Sequence, residues 1–174
     1  MTVFWDKTES LPFKVDDGGR AAAGFKGYAG DCVARSIAIV SGQPYEQVYE
    51  RLANGNAEQR TSKGAKKRQR SARNGISVRR KWFRDYMTEL GFSWHPTMQV
   101  GQGCKVHLVK GELPAQGRMV VALSKHYTAL VNGIVRDTYD PQWQSIVHDE
   151  GKARIVHRCV YGYWMLAAGE GEAA

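Results

Sequence analysis

One cysteine, one histidine and a nearby pair of aspartates carry the chemistry this sequence could perform. Cys32 follows Gly30-Asp31 and opens an apolar stretch, VARSIAIV, that reads as a helix. The first turn of a helix aims unpaired N–H groups and a partial positive charge at its neighbours. At Cys32 this favours thiolate over thiol and sets backbone donors beside any oxyanion formed at the sulfur. The plainer reading is a small buried apolar side chain, the usual fate of a free cysteine.

His126 opens the strand-like run 127–131, and Asp137 and Asp140 lie in the following DTYDP. An imidazole held by a carboxylate has a fixed tautomer, can take a thiol proton, and then persists as the imidazolium partner of the thiolate. Taken alone, His126 at a strand start is more simply a solvent-facing residue. Asp140 before Pro141 is more simply a turn initiator. Together the three positions are worth more than their separate readings.

The elements that must position them are legible in outline. A helix is expected from Asp31 or Cys32 to Ser41-Gly42, with Asp31 as N-cap and Gly42 as stop. A second follows Pro44, with Tyr45, Val48, Tyr49 and Leu52 on one face, and ends near Asn54-Gly55. A third runs from Ser77 to about Leu90, its stripe formed by Val78, Trp82, Phe83, Tyr86, Met87 and Leu90. Strands are expected at 105–109, 119–123, 127–131, 134–138 and 154–163, with Asn132-Gly133 as a two-residue hairpin turn. The first 30 residues read as irregular and the final GEGEAA as a frayed tail. Helices followed by a mostly antiparallel sheet make an α+β order. Across the hairpin, Val131 opposes Ile134 and Asp137 falls diagonal to His126 on the same face. Asp140 lies just past the strand end, and either carboxylate could accept the imidazole N–H.

The order of Cys on an early helix, His at a strand start and Asp on the next strand resembles the papain-like cysteine peptidase superfamily. Gly-Asp-Cys at a helix start, with His-Tyr-x-x-x-Val and a following Asp-Pro, looks most like the double-glycine leader peptidase group and related small phage and bacterial proteins. The resemblance spans roughly residues 28–52 and 117–141. It implies a single papain-like domain over 1–174, with Cys32 as nucleophile and His126 as general base. It also implies Asp140 as orienting residue, since the family often uses the Asp of an Asp-Pro pair; Asp137 is the alternative. The activity implied is that of a thiol protease or a related amide hydrolase working through a thioester, with deamidation or transamidation on the same triad. No cofactor is expected. The superfamily's Gln ahead of the nucleophile is missing from FKGYAGD. Lys26, Tyr28 or main-chain N–H groups would have to bind the oxyanion, and losing one such donor costs about 100- to 1000-fold in rate.

Charge has its own geography. The chain has 174 residues, 19.4 kDa, and a net charge of +8. Residues 60–84 hold 11 of the 25 Lys and Arg and no acid, which leaves the rest at −3. Residues 54–76 read as a mobile basic insertion. Lys63, Lys66, Lys67, Arg68, Arg70, Arg73, Arg79 and Arg80 could engage nucleic acid or an acidic protein. A second functional reading follows: a non-catalytic papain-fold binding or structural module, possibly phage-encoded, using this loop. No apolar run suits a membrane span, and the start lacks the pattern of a signal peptide. Three cysteines, an odd and sparse set, suggest no disulfide framework and a reducing cytoplasm. Cys104, His107, His157 and Cys159 are zinc-type ligands, but their spacing is better explained by sheet faces, so no metal is expected.

Overall fold

The computed structural model describes residues 10–66, 69–147 and 153–168. Its centre is helix α1 (Cys32–Ser41), in which Val33 through Val40 are all buried. A helix apolar around its whole circumference must be covered on every side. The covers are α2 (Tyr45–Glu58) and one face of a sheet, and α3 (Lys81–Glu89) adds Phe83, Tyr86 and Met87 to the same core. In chain order the strands are β1 (Phe13–Val15), β2 (Phe92–Pro96), β3 (Arg118–Leu123), β4 (His126–Val131), β5 (Ile134–Asp137), β6 (Trp143–Val147), β7 (Ala153–His157) and β8 (Val160–Leu166). Six of them form a sheet of order β1-β5-β4-β3-β8-β2, antiparallel except for β1 beside β5, while β6 and β7 pair as a separate ribbon. The fold is α+β, as its sequence order implies.

Both faces of the sheet are covered, which explains the unbroken apolar run MVVAL in β3. Val120, Ala129 and Trp164 pack with the helices. Met119, Val121, Leu130 and Val135 pack on the other face with Leu108 and Leu113 from the long connection before β3. Helix α1 is also tied to the sheet at its end. Arg118 donates from Nε to the Val40 carbonyl at 2.7 Å and from Nη2 to the Ile39 carbonyl at 3.1 Å. Those carbonyls have no partner within the helix, and a cation suits the negative end of its dipole. Gly42 stops the helix at φ 72°, as expected.

Several elements depart from the sequence reading. Helix α2 continues through Asn54-Gly55 to Glu58, because the Trp82 ring lies directly on Gly55. The end of the basic segment makes contacts with α2 and with Gly30. Asn56 Nδ2 donates to the Ser71 carbonyl at 3.0 Å, Ala72 is buried, and Asn74 bridges to Gly30. Helix α3 starts at Lys81, since Ser77–Arg80 closes a turn through Arg80 N–H to the Ser77 carbonyl at 3.0 Å. The strand expected at 105–109 is only a bridge between His107 and Cys159, and the strand expected at 154–163 is broken at Arg158-Cys159 into β7 and β8. β1, β2 and β6 were not expected. β2 contains Pro96 and sits at an edge, where proline is tolerated.

The cysteine reading is also corrected. Cys104 and Cys159 form a disulfide, with Cα atoms 5.9 Å apart. The His107–Cys159 bridge brings the two backbones within disulfide reach. No helix among the described residues is long and apolar enough to cross a membrane.

A Cβ on Gly55 would fall 2.3 Å from the Trp82 ring. Helix propensity alone predicts that Gly55→Ala gains up to about 1 kcal/mol, whereas overlap with the ring predicts a loss of about 1–3 kcal/mol. Urea unfolding is expected to show the loss; a stabilised variant would contradict this packing.

Candidate active site

Cys32 is the first residue of α1, half-buried, and the only free cysteine. His126 is the first residue of β4 and buried. Its Nε2 lies 2.7 Å from Asp137 Oδ2. The hairpin register expected from Asn132-Gly133 is present, with Val131 opposite Ile134 and Ala129 opposite Arg136. Asp137 therefore ends β5 diagonal to His126 and on the same face.

Asp140, the residue favoured by the resemblance, does not reach the imidazole. Its carboxylate accepts from the Gln142 main chain at 3.1 Å and from Gln142 Nε2 at 3.0 Å. Gln142 in turn pairs with the Leu11 main chain in both directions, at 2.7 and 3.0 Å. Asp140 thus closes a turn that anchors the segment before β1. Asp137 is the carboxylate that meets the ring, because the strand pairing and not the Asp-Pro sequence decides which carboxylate faces it.

Asp137 is 3% exposed, and such burial of a carboxylate demands partners. Beyond His126, its Oδ1 accepts from Thr138 N–H at 2.7 Å and lies 3.8 Å from Arg35 Nη2. Arg35 also pairs with Asp31 one turn earlier on the same helix. Asp31 is buried too and receives Arg20 Nε at 2.8 Å and the Tyr45 hydroxyl. Its side chain makes no N-cap hydrogen bond, contrary to the sequence expectation, because these three donors draw the carboxylate away from the first turn. The Tyr45 hydroxyl is pushed to a higher pKa by burial and by the Asp31 charge.

Cys32 and His126 perturb one another. Burial pushes the Cys32 thiol up. The hydrogen bond and charge of His126, a main-chain hydrogen bond from Tyr127 and the Arg35 charge more than reverse this, so its pKa is lowered. Burial disfavours the His126 cation, but hydrogen bonds to Asp137 and Cys32, with the charges of both, raise its pKa to about 9. The two shifts both act in the direction of a thiolate–imidazolium pair. With Nε2 committed to Asp137, Nδ1 is the nitrogen left for the sulfur. The Tyr139 hydroxyl lies 3.3 Å from that same nitrogen.

The pair borders an open cavity of about 660 Å³, a size suited to a small ligand or a short peptide segment. Ile76, Val78, Leu123 and Trp164 supply apolar walls. Lys26 and Tyr28 do not line it: both are exposed, and their carbonyls are held by Arg20 and Arg73, at 3.2 and 2.9 Å. The two side chains that the resemblance would use as oxyanion donors therefore stand outside the cavity. The first-turn N–H groups of α1 are left uncapped by the Asp31 side chain.

The basic residues divide into three groups. Arg70 is engaged by Glu50 and Asn54, and Arg73 by the Tyr28 carbonyl. Lys63, Lys66 and Arg80 are exposed, and Arg79 lines the cavity. Lys67 and Arg68 lie outside the described residues. Of the zinc-type residues, Cys104 and Cys159 are bonded to each other, and among the described residues no group of three or more His, Cys, Asp or Glu is arranged to hold a metal.

Two residues at the site carry no signal in the sequence: Arg35 is hidden in an apolar helix, and Trp94 lies on an edge strand without a periodic pattern. Trp164 packs in the core beneath the helices, and both Trp164 and Tyr161 line the cavity.

No family model, curated protein or solved structure gives a significant match to this chain.

Because Cys32 is the only free thiol, its alkylation reports on the site. Asp137→Asn is expected to slow iodoacetamide labelling at pH 6 by about tenfold or more, the equivalent of one pKa unit. Asp140→Asn should stay within about twofold of wild type. Equal rates for the two variants would sink the assignment of Asp137.

Proposed function

We propose that this protein is a cysteine-dependent amide hydrolase of papain-like type, with Cys32 as nucleophile, His126 as acid and base, and Asp137 as the orienting carboxylate. The observation that carries this reading is the buried His126–Asp137 pair beside a pKa-lowered thiol at a helix N-terminus, opening on a cavity. In the first step the thiolate attacks the carbonyl carbon, forming a C–S bond. The C–N bond then breaks, and the leaving amine takes its proton from the His126 imidazolium. Water, deprotonated by His126, cleaves the thioester and restores the thiol. An amine in place of water gives transamidation, and a glutamine side chain as substrate gives deamidation.

A second reading is a binding module of the same shape, phage or bacterial, engaging nucleic acid or an acidic protein. Two observations favour it: Lys26 and Tyr28 stand away from the cavity, and Lys63, Lys66, Arg79 and Arg80 are exposed. A cytoplasmic setting belongs to the proposal rather than to the fold. There the glutathione and thioredoxin systems would keep Cys104 and Cys159 reduced, whereas an oxidising compartment would keep them joined.

The pH profile separates the two readings. The reactive form needs Cys32 deprotonated and His126 protonated. Acylation of Cys32 by a peptide thioester, followed by intact mass, is expected to rise with pH through the lowered thiol pKa. It should fall again as His126 loses its proton at about 9. Cys32→Ala should abolish the adduct. A rate that climbs steadily past pH 9, as for a solvent-exposed thiol, would leave the binding reading.

A further inference from the structure

The cavity beside Cys32 has a charge pattern that the proposed chemistry does not require. Three cations reach it from three different parts of the fold. Arg79 comes from the turn before α3, Arg84 from α3, and Lys125 from the turn between β3 and β4. All three are exposed, and none has a carboxylate within ion-pair distance among the described residues. Elsewhere Arg20, Arg35, Arg51, Arg70, Lys81 and Arg136 each have one. No Asp or Glu lines the cavity.

Lys125 is also the residue before His126, and it sits at φ 54°. Hairpin turns with positive φ favour glycine or asparagine, so a lysine here works against local turn chemistry. Lys125 nonetheless lines the same cavity as His126. Two large aromatic side chains accompany the cations: Trp94 is 41% exposed and Tyr161 39% exposed, and both line the same cavity. Exposed aromatic surface beside unpaired cations is suited to a ligand that brings both apolar area and negative charge.

We propose that the cavity selects polypeptide segments in which an acidic residue stands next to a large apolar residue at the reacting amide. The carboxylate meets Arg79, Arg84 and Lys125, and the apolar side chain packs against Trp94, Tyr161 and the Ile76–Leu123 walls. This specificity rests on the hydrolase reading for its amide, but its recognition step can be tested without turnover.

The test uses the full chain carrying Cys32→Ala, so that binding is read without reaction. The probe is an array of hexapeptides that combine Phe, Leu or Ala with Asp, Glu, Asn, Gln or Lys. Peptides pairing Asp or Glu with Phe or Leu are expected to bind about tenfold more tightly than their Asn or Gln counterparts, and the preference should shrink between 50 and 300 mM salt. Arg79→Gln, Arg84→Gln and Lys125→Gln combined should remove most of the charge preference while keeping the Phe-over-Ala preference; circular dichroism of the triple variant checks its fold. Equal binding of acidic and amide peptides overturns the proposal. So does displacement of the peptides by a single-stranded oligothymidine that binds more tightly than any of them and depends on the same three cations, since the cavity then belongs to nucleic acid. If the charge preference holds while wild-type Cys32 proves unreactive, the specificity stands and the hydrolase reading fails.

Discussion

Two carboxylates are buried at the N-terminal end of α1, and the Arg35 guanidinium stands between them. Taking such charges out of water costs several kcal/mol each unless partners are supplied. The partners come from every direction: Arg20 from the segment before α1, Tyr45 from α2, and His126 from the sheet. The requirement to satisfy Asp31 and Asp137 therefore fixes where α1 begins relative to β4 and β5. It also fixes Cys32, which lies between the Asp31 and Arg35 of that network. The placement of Cys32 and His126 thus goes together with the neutralisation of buried charge.

The same network explains why the thiol and imidazole carry shifted pKa values without any metal or cofactor being invoked. Arg35 contributes its charge to Cys32, and Asp137 contributes its charge to His126. Burial opposes both ions, so each depends on the other. The positive charge of the chain plays a separate part. Arg70 and Arg73 pin the segment after α2 to α2 and to the residues before α1, while Arg79 remains at the cavity mouth. Among the described residues of this stretch, some cations hold the backbone in place and others remain exposed.

Much of this was legible beforehand where the chemistry is local. Gly42 as a helix stop and Asn132-Gly133 as a hairpin turn depend on backbone conformations that few residues adopt, and both stand where expected. The helical stripes of α2 and α3 were visible because each buries one face. Helix limits were less legible. α2 passes through Gly55 because a tryptophan 27 positions later needs a residue without a side chain there. Short edge strands such as β1 and β2 have little apolar pattern to betray them. The disulfide was illegible because it depends on two segments meeting across 55 residues.

The chain by itself determined the residue types capable of the chemistry and the register of one hairpin, since a two-residue turn sets pairing locally. That register already placed Asp137 beside His126 as one of two options. Tertiary structure decided between them: Gln142 and the Leu11 main chain hold Asp140 away, while Arg35 makes a buried Asp137 tolerable. It also turned Asp31 from a helix cap into the hub of a buried ionic network, and separated structural cations from those at the cavity. These outcomes depend on desolvation, which is set by what surrounds a charge in three dimensions and not by its neighbours in sequence.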